Sequence, residues 1–244
     1  MNALALPAII LREPAQFWND LKAGNDLGTK CTALAIVSVS SLAIFGAIMG
    51  STHSAAQATA SAVKLPILYL ATMMICFPTL HIFKLLFGSK HSPMQLLTLL
   101  MATMAITSLL VLAFAPISAF FVMSSTNYQF VKLLNVAILG ISAVLGIRFF
   151  YRGMHALAGE DPIPSNPSNP SESPNAPIPQ HPNNSTQDQI IRAWILLYAF
   201  VGTQLAWTLR PFFGAPDQPF EWTREIDGTF YTDVFRALGE LFGG

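Results

Sequence analysis

The sequence predicts an all-α, polytopic membrane protein with about five transmembrane helices and an amphipathic surface helix at each end. Of its 244 residues, 52% are hydrophobic and only 11% are charged, whereas roughly 25% of the residues of soluble domains are charged. The mean hydropathy is +0.49, and the apolar residues gather in runs of about 20 or more, the length that crosses a bilayer as a helix. The formal net charge is zero, so no nucleic-acid partner is expected.

The chain divides into five units by composition. They are residues 1–30, an N-terminal interfacial segment; 31–158, a region of four transmembrane helices; 159–187, a linker; 188–214, a fifth transmembrane helix; and 215–244, a tail. The linker is rich in Pro, Asn and Ser and has little apolar surface to bury, so we expect it to be disordered. In the tail, Gly228 completes a turn signal, and Thr232 is placed to cap an amphipathic helix.

The N-terminal segment and the first span each present a distinctive helix face. Three apolar residues share one face of a helix predicted over residues 15–23: Phe17, Trp18 and Leu21. Such a helix either lies on the membrane surface or packs its end against the bundle. The first span covers about residues 31–51 and contains Gly46 and Gly50, whose spacing of four lets two helix backbones approach closely. We expect that contact to lie within the chain rather than in a dimer.

Prolines subdivide the middle of the chain. Three further spans are predicted at about residues 64–88, 94–124 and 128–151. Pro78 is expected to kink the second span near Met74, and residues 52–62 before that span form a small polar loop or a short helix. The third span is too long for one straight crossing, so Pro116 is expected to divide it. Its far end would then be re-entrant, interfacial or a projection beyond the bilayer.

The fifth span, at about residues 190–214, has aromatic residues towards both ends. Trp194 lies near its start and Trp207 near its finish, as in the aromatic belts of membrane helices. Gly202 and Ala206 are four residues apart and predict a close helix contact.

The sequence predicts no catalytic residue, no cofactor and no metal site. Motifs for nucleotide binding, zinc proteases and serine hydrolases are missing from it, and its five histidines are scattered. Asn135 and Gln204 are the deepest strongly polar side chains; they either line a small cavity or, as we prefer, hydrogen-bond neighbouring helices. Arg210 is expected to pair with carboxylates of the tail or to contact lipid phosphates. His81 and His91 flank the same turn, an arrangement that leaves a metal site as the alternative.

The distribution of Lys and Arg predicts the orientation. If there are five crossings, one side of the membrane holds eight basic residues: Arg12, Lys22, Lys30, Lys84, Lys90, Arg148, Arg152 and Arg192. The other side holds five: Lys64, Lys132, Arg210, Arg224 and Arg236. Basic residues are enriched on the cytoplasmic side, so the N-terminus and the linker are predicted to be cytoplasmic and the tail external.

Parts of the sequence resemble a group of bacterial multi-pass inner-membrane proteins, some of which carry a loose Yip1-like label. The similar parts are residues 64–88, 200–220 and 228–238. The resemblance is most specific at five positions: Gln204, Trp207, Arg210, Pro211 and Phe212. It implies a helical integral membrane protein of the inner membrane, assigns no activity and transfers no catalytic residue.

Three functions are compatible with these features. The preferred one is a non-enzymatic scaffold or accessory subunit of a membrane complex, whose partners are the lipid bilayer and other membrane-protein subunits. The first alternative is a transporter or channel for a small solute, with the prolines Pro78 and Pro116 acting as gates. However, the predicted spans carry no central acidic residue, which proton-coupled transporters usually need. The second alternative is an enzyme acting on lipid.

Overall fold

The computed structural model describes residues 10, 12, 14–51, 54–86, 92–125, 127–158, 184–212, 222 and 228–242, and all regular structure in these ranges is helical. The helices are α1 (Pro14–Ala23), α2 (Leu27–Gly50), α3 (Ala55–Leu86), α4 (Pro93–Ala113), α5 (Ala115–Ser124), α6 (Tyr128–Ala158), α7 (Asn184–Thr208) and α8 (Phe230–Phe242). Five of them, α2, α3, α4, α6 and α7, are long and apolar enough to cross a membrane. The predicted all-α fold with five membrane-spanning helices is therefore confirmed.

The five long helices pack in the order α7–α3–α2–α4–α6. Helix α2 makes its main contacts with α3 and α4, α6 packs on α4, and α7 packs on α3. In the most apolar window of each span, 67% of the residues of α4 but only 17% of those of α7 are buried inside the protein. Helix α4 is thus the most enclosed of the five and α7 the most peripheral.

The bundle has two ends, which we call the tail end and the arginine end. The tail end is where α3 begins and α7 finishes, and it carries α8. The arginine end is where α6 finishes and α7 begins, and it carries α1. There, α1 buries its apolar face against the bundle: Phe17 and Leu21 are 3% and 1% exposed, and Trp18 contacts Phe149 of α6 at 5.0 Å between ring centroids. Of the two predicted placements of α1, the structure shows packing on the bundle.

The glycine spacing in α2 produces a close contact with α3. A Cβ atom built on Gly46 would lie 2.4 Å from the carbonyl oxygen of Ser61, and one on Gly50 would lie 2.4 Å from that of Gln57. Since both neighbours are backbone atoms of the same chain, only glycine permits this approach. The expected intramolecular contact is therefore present.

The third predicted span is interrupted close to its proline. Helix α4 ends at Ala113 and α5 begins at Ala115, with Phe114 between them in helical conformation and Pro116 in the first turn of α5. Proline has no N–H to continue the hydrogen-bond ladder of α4, which accounts for the break. Helix α5 packs on α2 and α6.

The remaining boundaries differ from the prediction at three places. Helix α3 begins at Ala55, so most of the stretch predicted as a polar loop or short helix is the first part of a span. Helix α7 begins at Asn184, inside the predicted linker, and ends at Thr208 rather than at residue 214. The rest of the linker, and with it the predicted disorder, lies outside the described residues. Helix α3 runs through Pro66 and Pro78 as one helix.

Substituting Gly46 by alanine tests the contact between α2 and α3. The new methyl group would overlap backbone atoms of α3, and overpacking of this kind costs about 1–3 kcal/mol. We therefore expect Gly46→Ala to lower the midpoint of thermal unfolding of the protein purified in mild detergent.

Gly140→Ala is the matched control. Nothing lies within 4 Å of a Cβ built on Gly140, and alanine favours helix over glycine by about 1 kcal/mol, so the midpoint should stay the same or rise. Equal midpoints for the two variants would contradict the packing of α2 on α3.

Candidate functional site

Three buried polar side chains lie on one face of α3 at the tail end. Gln57, Ser61 and Lys64 are spaced by four and three residues, so they lie one above the other on the helix. Their exposed fractions are 1%, 0% and 2%. Polar groups this deeply buried are costly unless they form hydrogen bonds. Their hydrogen-bond partners therefore determine how this end of the molecule is held together.

The partners are backbone carbonyl oxygens of the chain that follows α7. Gln57 Nε2 donates to the oxygen of Pro211 at 2.9 Å, and Ser61 Oγ donates to that of Phe212 at 2.6 Å. Because α7 has ended at Thr208, these carbonyls belong to no helix and need donors from elsewhere. Two side chains of α3 thus replace the hydrogen bonds that the chain lost by leaving α7.

Lys64 extends the same set of contacts to Trp222. Its Nζ donates to the carbonyl oxygen of Pro211 at 3.2 Å and also to that of Trp222. The ammonium lies 5.3 Å from the centroid of the Trp222 ring, a favourable cation–π distance. No described carboxylate forms an ion pair with Lys64, so carbonyl dipoles and an aromatic face balance its charge. We call Gln57, Ser61, Lys64 and these three carbonyl groups the Lys64 cluster.

Helix α8 is attached to the tail end by separate contacts. Trp207 Nε1 donates to the carbonyl oxygen of Gly228 at 3.0 Å, and Lys132 of α6 pairs with Asp233 of α8 at 2.6 Å. Helix α8 thereby connects α6 with α7. Its amino terminus is capped by Thr229, whose hydroxyl accepts from the backbone N–H of Thr232. The predicted cap at Thr232 is therefore three residues too late.

Arg210 lies against an aromatic ring. Its guanidinium is 3.6 Å from the centroid of the Trp207 ring. The carboxylates that we considered as its partners, those of Asp217, Glu221 and Glu225, lie outside the described residues.

In the described part of the chain, Lys64 is the basic residue that binds the segment beyond α7. From the sequence, Lys64 was counted only as a charge. The signal that could have found it is its spacing from Gln57 and Ser61.

The two amides singled out from the sequence are in different situations. Asn135 is fully buried; it accepts a hydrogen bond from Ser118 Oγ at 2.6 Å and donates to the carbonyl oxygen of Val131 at 2.9 Å. Its side chain therefore joins α6 to α5. Gln204 is partly exposed, and its side chain makes no hydrogen bond to a described residue. We expected Gln204 to be one of the deepest polar side chains. Since α7 ends at Thr208, Gln204 lies only one turn from the end of the helix.

The two tryptophans of α7 are inside the protein rather than in a belt at the lipid surface. Trp194 is 3% exposed and donates from Nε1 to the carbonyl oxygen of Cys76 at 3.0 Å. Trp207 is also buried. Gly202 faces α3, where a Cβ would lie 3.5 Å from Thr72 Cγ2, and Ala206, one turn further on, is partly buried.

The remaining candidates gather into no reactive site within the described ranges. His81 stacks on Phe77 at 6.2 Å between ring centroids, while His91 is not among the described residues. Nowhere in the described part of the chain do three His, Cys, Asp or Glu side chains come together as metal ligands would.

Comparison with protein-family models, curated proteins and solved structures finds no match to this chain. The Yip1-like resemblance accordingly stays a prediction.

Replacing Lys64 by methionine tests the Lys64 cluster. Methionine is shorter than lysine by the terminal nitrogen only, so the substitution keeps most of the apolar stem but leaves the Trp222 carbonyl without this donor. A hydrogen bond from a charged group contributes about 1.5–3 kcal/mol, so trypsin should cut after Arg224 about ten to a hundred times faster if local opening limits cleavage. The rate is read from the appearance of the fragment that begins at residue 225.

Lys132→Met is the matched control, because it removes the same charge at the same end but contacts α8 rather than Trp222. It should change cleavage after Arg224 much less, with the helix content of both variants checked by circular dichroism. If Lys64→Met were cleaved at the wild-type rate, the Lys64 cluster would not hold this segment.

Proposed function

We propose that the protein is a non-enzymatic scaffold or accessory subunit of a membrane complex, and that α7 is the helix that binds a second membrane protein. The observation that carries the proposal is the position of Gln204, an amide with no hydrogen-bond partner among the described residues. It lies on the face of α7 that points away from α3. The proposal rests on three features of α7: its apolar outward face, this polar residue, and its attachment to the bundle.

The outward face of α7 is broad and apolar. Helical spacing places five residues on the side opposite the contact with α3: Ala193, Leu196, Leu197, Phe200 and Gln204. Leu196, Leu197 and Phe200 are 71%, 38% and 55% exposed. A bilayer would cover such a face with lipid, so the apolar residues alone do not select a partner.

Gln204 supplies the selectivity that the apolar residues lack. Lipid chains offer neither donors nor acceptors to its amide, whereas a polar side chain on another transmembrane helix offers both. Interhelical hydrogen bonds of this type contribute about 1 kcal/mol in membranes. An amide on a lipid-facing helix is therefore better accounted for by a partner subunit than by lipid.

Helix α7 is also held firmly enough to present this face. Near its start, Trp194 is hydrogen-bonded to α3 through the Cys76 carbonyl. Past its end, the carbonyl groups of Pro211 and Phe212 accept hydrogen bonds from Gln57 and Ser61 of the Lys64 cluster. A helix fixed at both ends loses little conformational entropy when it binds, which favours association. The buried polar groups of the tail end thus serve to position a binding surface.

The proposal also includes the location and orientation. Five helices compatible with membrane crossing fit an integral membrane protein, and we propose the bacterial inner membrane. The excess of basic residues at the arginine end supports a cytoplasmic N-terminus. In that orientation the Lys64 cluster and α8 lie on the periplasmic side.

Photocrosslinking in the native membrane tests the proposal. A photoreactive residue at Phe200 should give one protein adduct of discrete mass, since this position lies at the centre of the outward face. Gln204→Leu should reduce the adduct at least about fivefold, the equivalent of one interhelical hydrogen bond. The thermal unfolding midpoint of the detergent-purified chain should stay unchanged, because the Gln204 side chain forms no hydrogen bond to a described residue of the bundle.

Ile36 of α2, which is 63% exposed, provides the control position. It should give no discrete protein adduct. An equal yield at both positions, or an adduct at Phe200 with the mass of two copies of this chain, would contradict a dedicated partner on α7. An adduct that Gln204→Leu leaves unchanged would remove the role of the amide.

A further inference from the structure

A groove lined by arginines opens between α6 and α7 at the arginine end. Its volume is about 610 Å³, and its walls are Ile147, Arg148, Tyr151, Arg152, Arg192, Ile195 and Leu196. The two helices meet beside it through the rings of Phe150 and Trp194, whose centroids are 5.1 Å apart. From this groove we infer a binding site for an anionic phospholipid, with the phosphate at the arginines and an acyl chain along the apolar wall.

The groove has a charged rim and an apolar interior. Arg152 is four residues further towards the arginine end of α6 than Arg148, which corresponds to about 6 Å along the helix axis. On α7, Arg192 precedes Ile195 and Leu196 by about one turn, so it also lies on the rim side. The apolar residues continue the groove towards the middle of the two spans. A ligand that matches both parts has a charged head and a hydrocarbon chain.

The three arginines are available to an anion. Arg148, Arg152 and Arg192 are exposed, and none forms an ion pair with a described residue. Asp188 is one turn before Arg192 on α7, and its Oδ1 lies 3.1 Å from Nε2 of His155 on α6. Three guanidinium groups around one groove repel one another, and a bound phosphate would offset this repulsion because it attracts each of them.

Guanidinium chemistry and location both favour a lipid phosphate. Arginine presents a planar set of donors that fits two phosphate oxygens at once. Basic pockets between transmembrane helices recur as sites for anionic head groups. A soluble phosphate would match the rim but would leave the apolar wall formed by Ile147 and Ile195 uncovered. The site is therefore assigned to a phospholipid and not to a free anion.

Native mass spectrometry of the full chain, released from mild detergent, tests the site. The probes are phosphatidylglycerol, phosphatidylcholine as a zwitterionic lipid, and inorganic phosphate as a soluble anion. We expect the wild-type chain to retain one phosphatidylglycerol in preference to phosphatidylcholine. The triple variant Arg148→Gln/Arg152→Gln/Arg192→Gln should bind it at least about tenfold more weakly, given that each basic residue near an anionic lipid contributes about 1 kcal/mol.

A second triple variant, Arg12→Gln/Lys22→Gln/Arg236→Gln, removes the same total charge from exposed positions outside the groove and should bind like the wild type. The single variants Arg192→Gln and Arg192→Lys serve if the triple variant is not monodisperse; lysine should bind between glutamine and arginine. Equal loss in both triple variants would show that only net charge matters and would overturn the site. Retention by the groove variant, or displacement of the lipid by inorganic phosphate at equal concentration, would overturn it as well.

Discussion

The buried ammonium of Lys64 is the constraint on which the tail end depends. A charge that is 2% exposed must be compensated inside the protein, and the described residues offer it carbonyl groups and a tryptophan ring but no carboxylate. The chain beyond α7 therefore has to return to α3, since that is where the donors are. The same face of α3 carries Gln57 and Ser61, so one side of one helix fixes the path of this chain.

The position of that face follows from the contact between α2 and α3. Gly46 and Gly50 bring the backbones together at Ser61 and Gln57, which holds these residues rigidly while their side chains reach the carbonyls of Pro211 and Phe212. Glycine spacing in one helix thereby supports hydrogen bonding in another. The peripheral helix α7 makes its main contacts with α3, and hydrogen bonds to α3 anchor it near its start and beyond its end.

The overall fold could be predicted because long apolar runs and proline positions are local signals. The five spans, the break beside Pro116 and the contact at Gly46 all follow from spacing along the chain. The helix boundaries at Ala55 and Thr208 could not be predicted in this way, because polar residues such as Gln57 extend a buried helix only when a distant segment forms hydrogen bonds with them.

The positions of Trp194 and Trp207 could not be predicted for a similar reason. An indole N–H can donate at a lipid interface or to a buried carbonyl group, and the sequence does not show which carbonyl groups lie nearby. Lys64 was overlooked because its acceptors lie about 150 residues away along the chain.

The most direct test of this account is a disulfide between α3 and the segment after α7. In a background with Cys31→Ala and Cys76→Ala, Ser61→Cys and Phe212→Cys should crosslink on mild oxidation in native membranes, since Ser61 Oγ lies 2.6 Å from the Phe212 carbonyl oxygen. Val63→Cys paired with Phe212→Cys is the control, because Val63 is 49% exposed and lies on another face of α3. Rapid crosslinking of the first pair alone is the predicted result. Equal crosslinking of both pairs, or none in either, would contradict the central role of the Lys64 cluster.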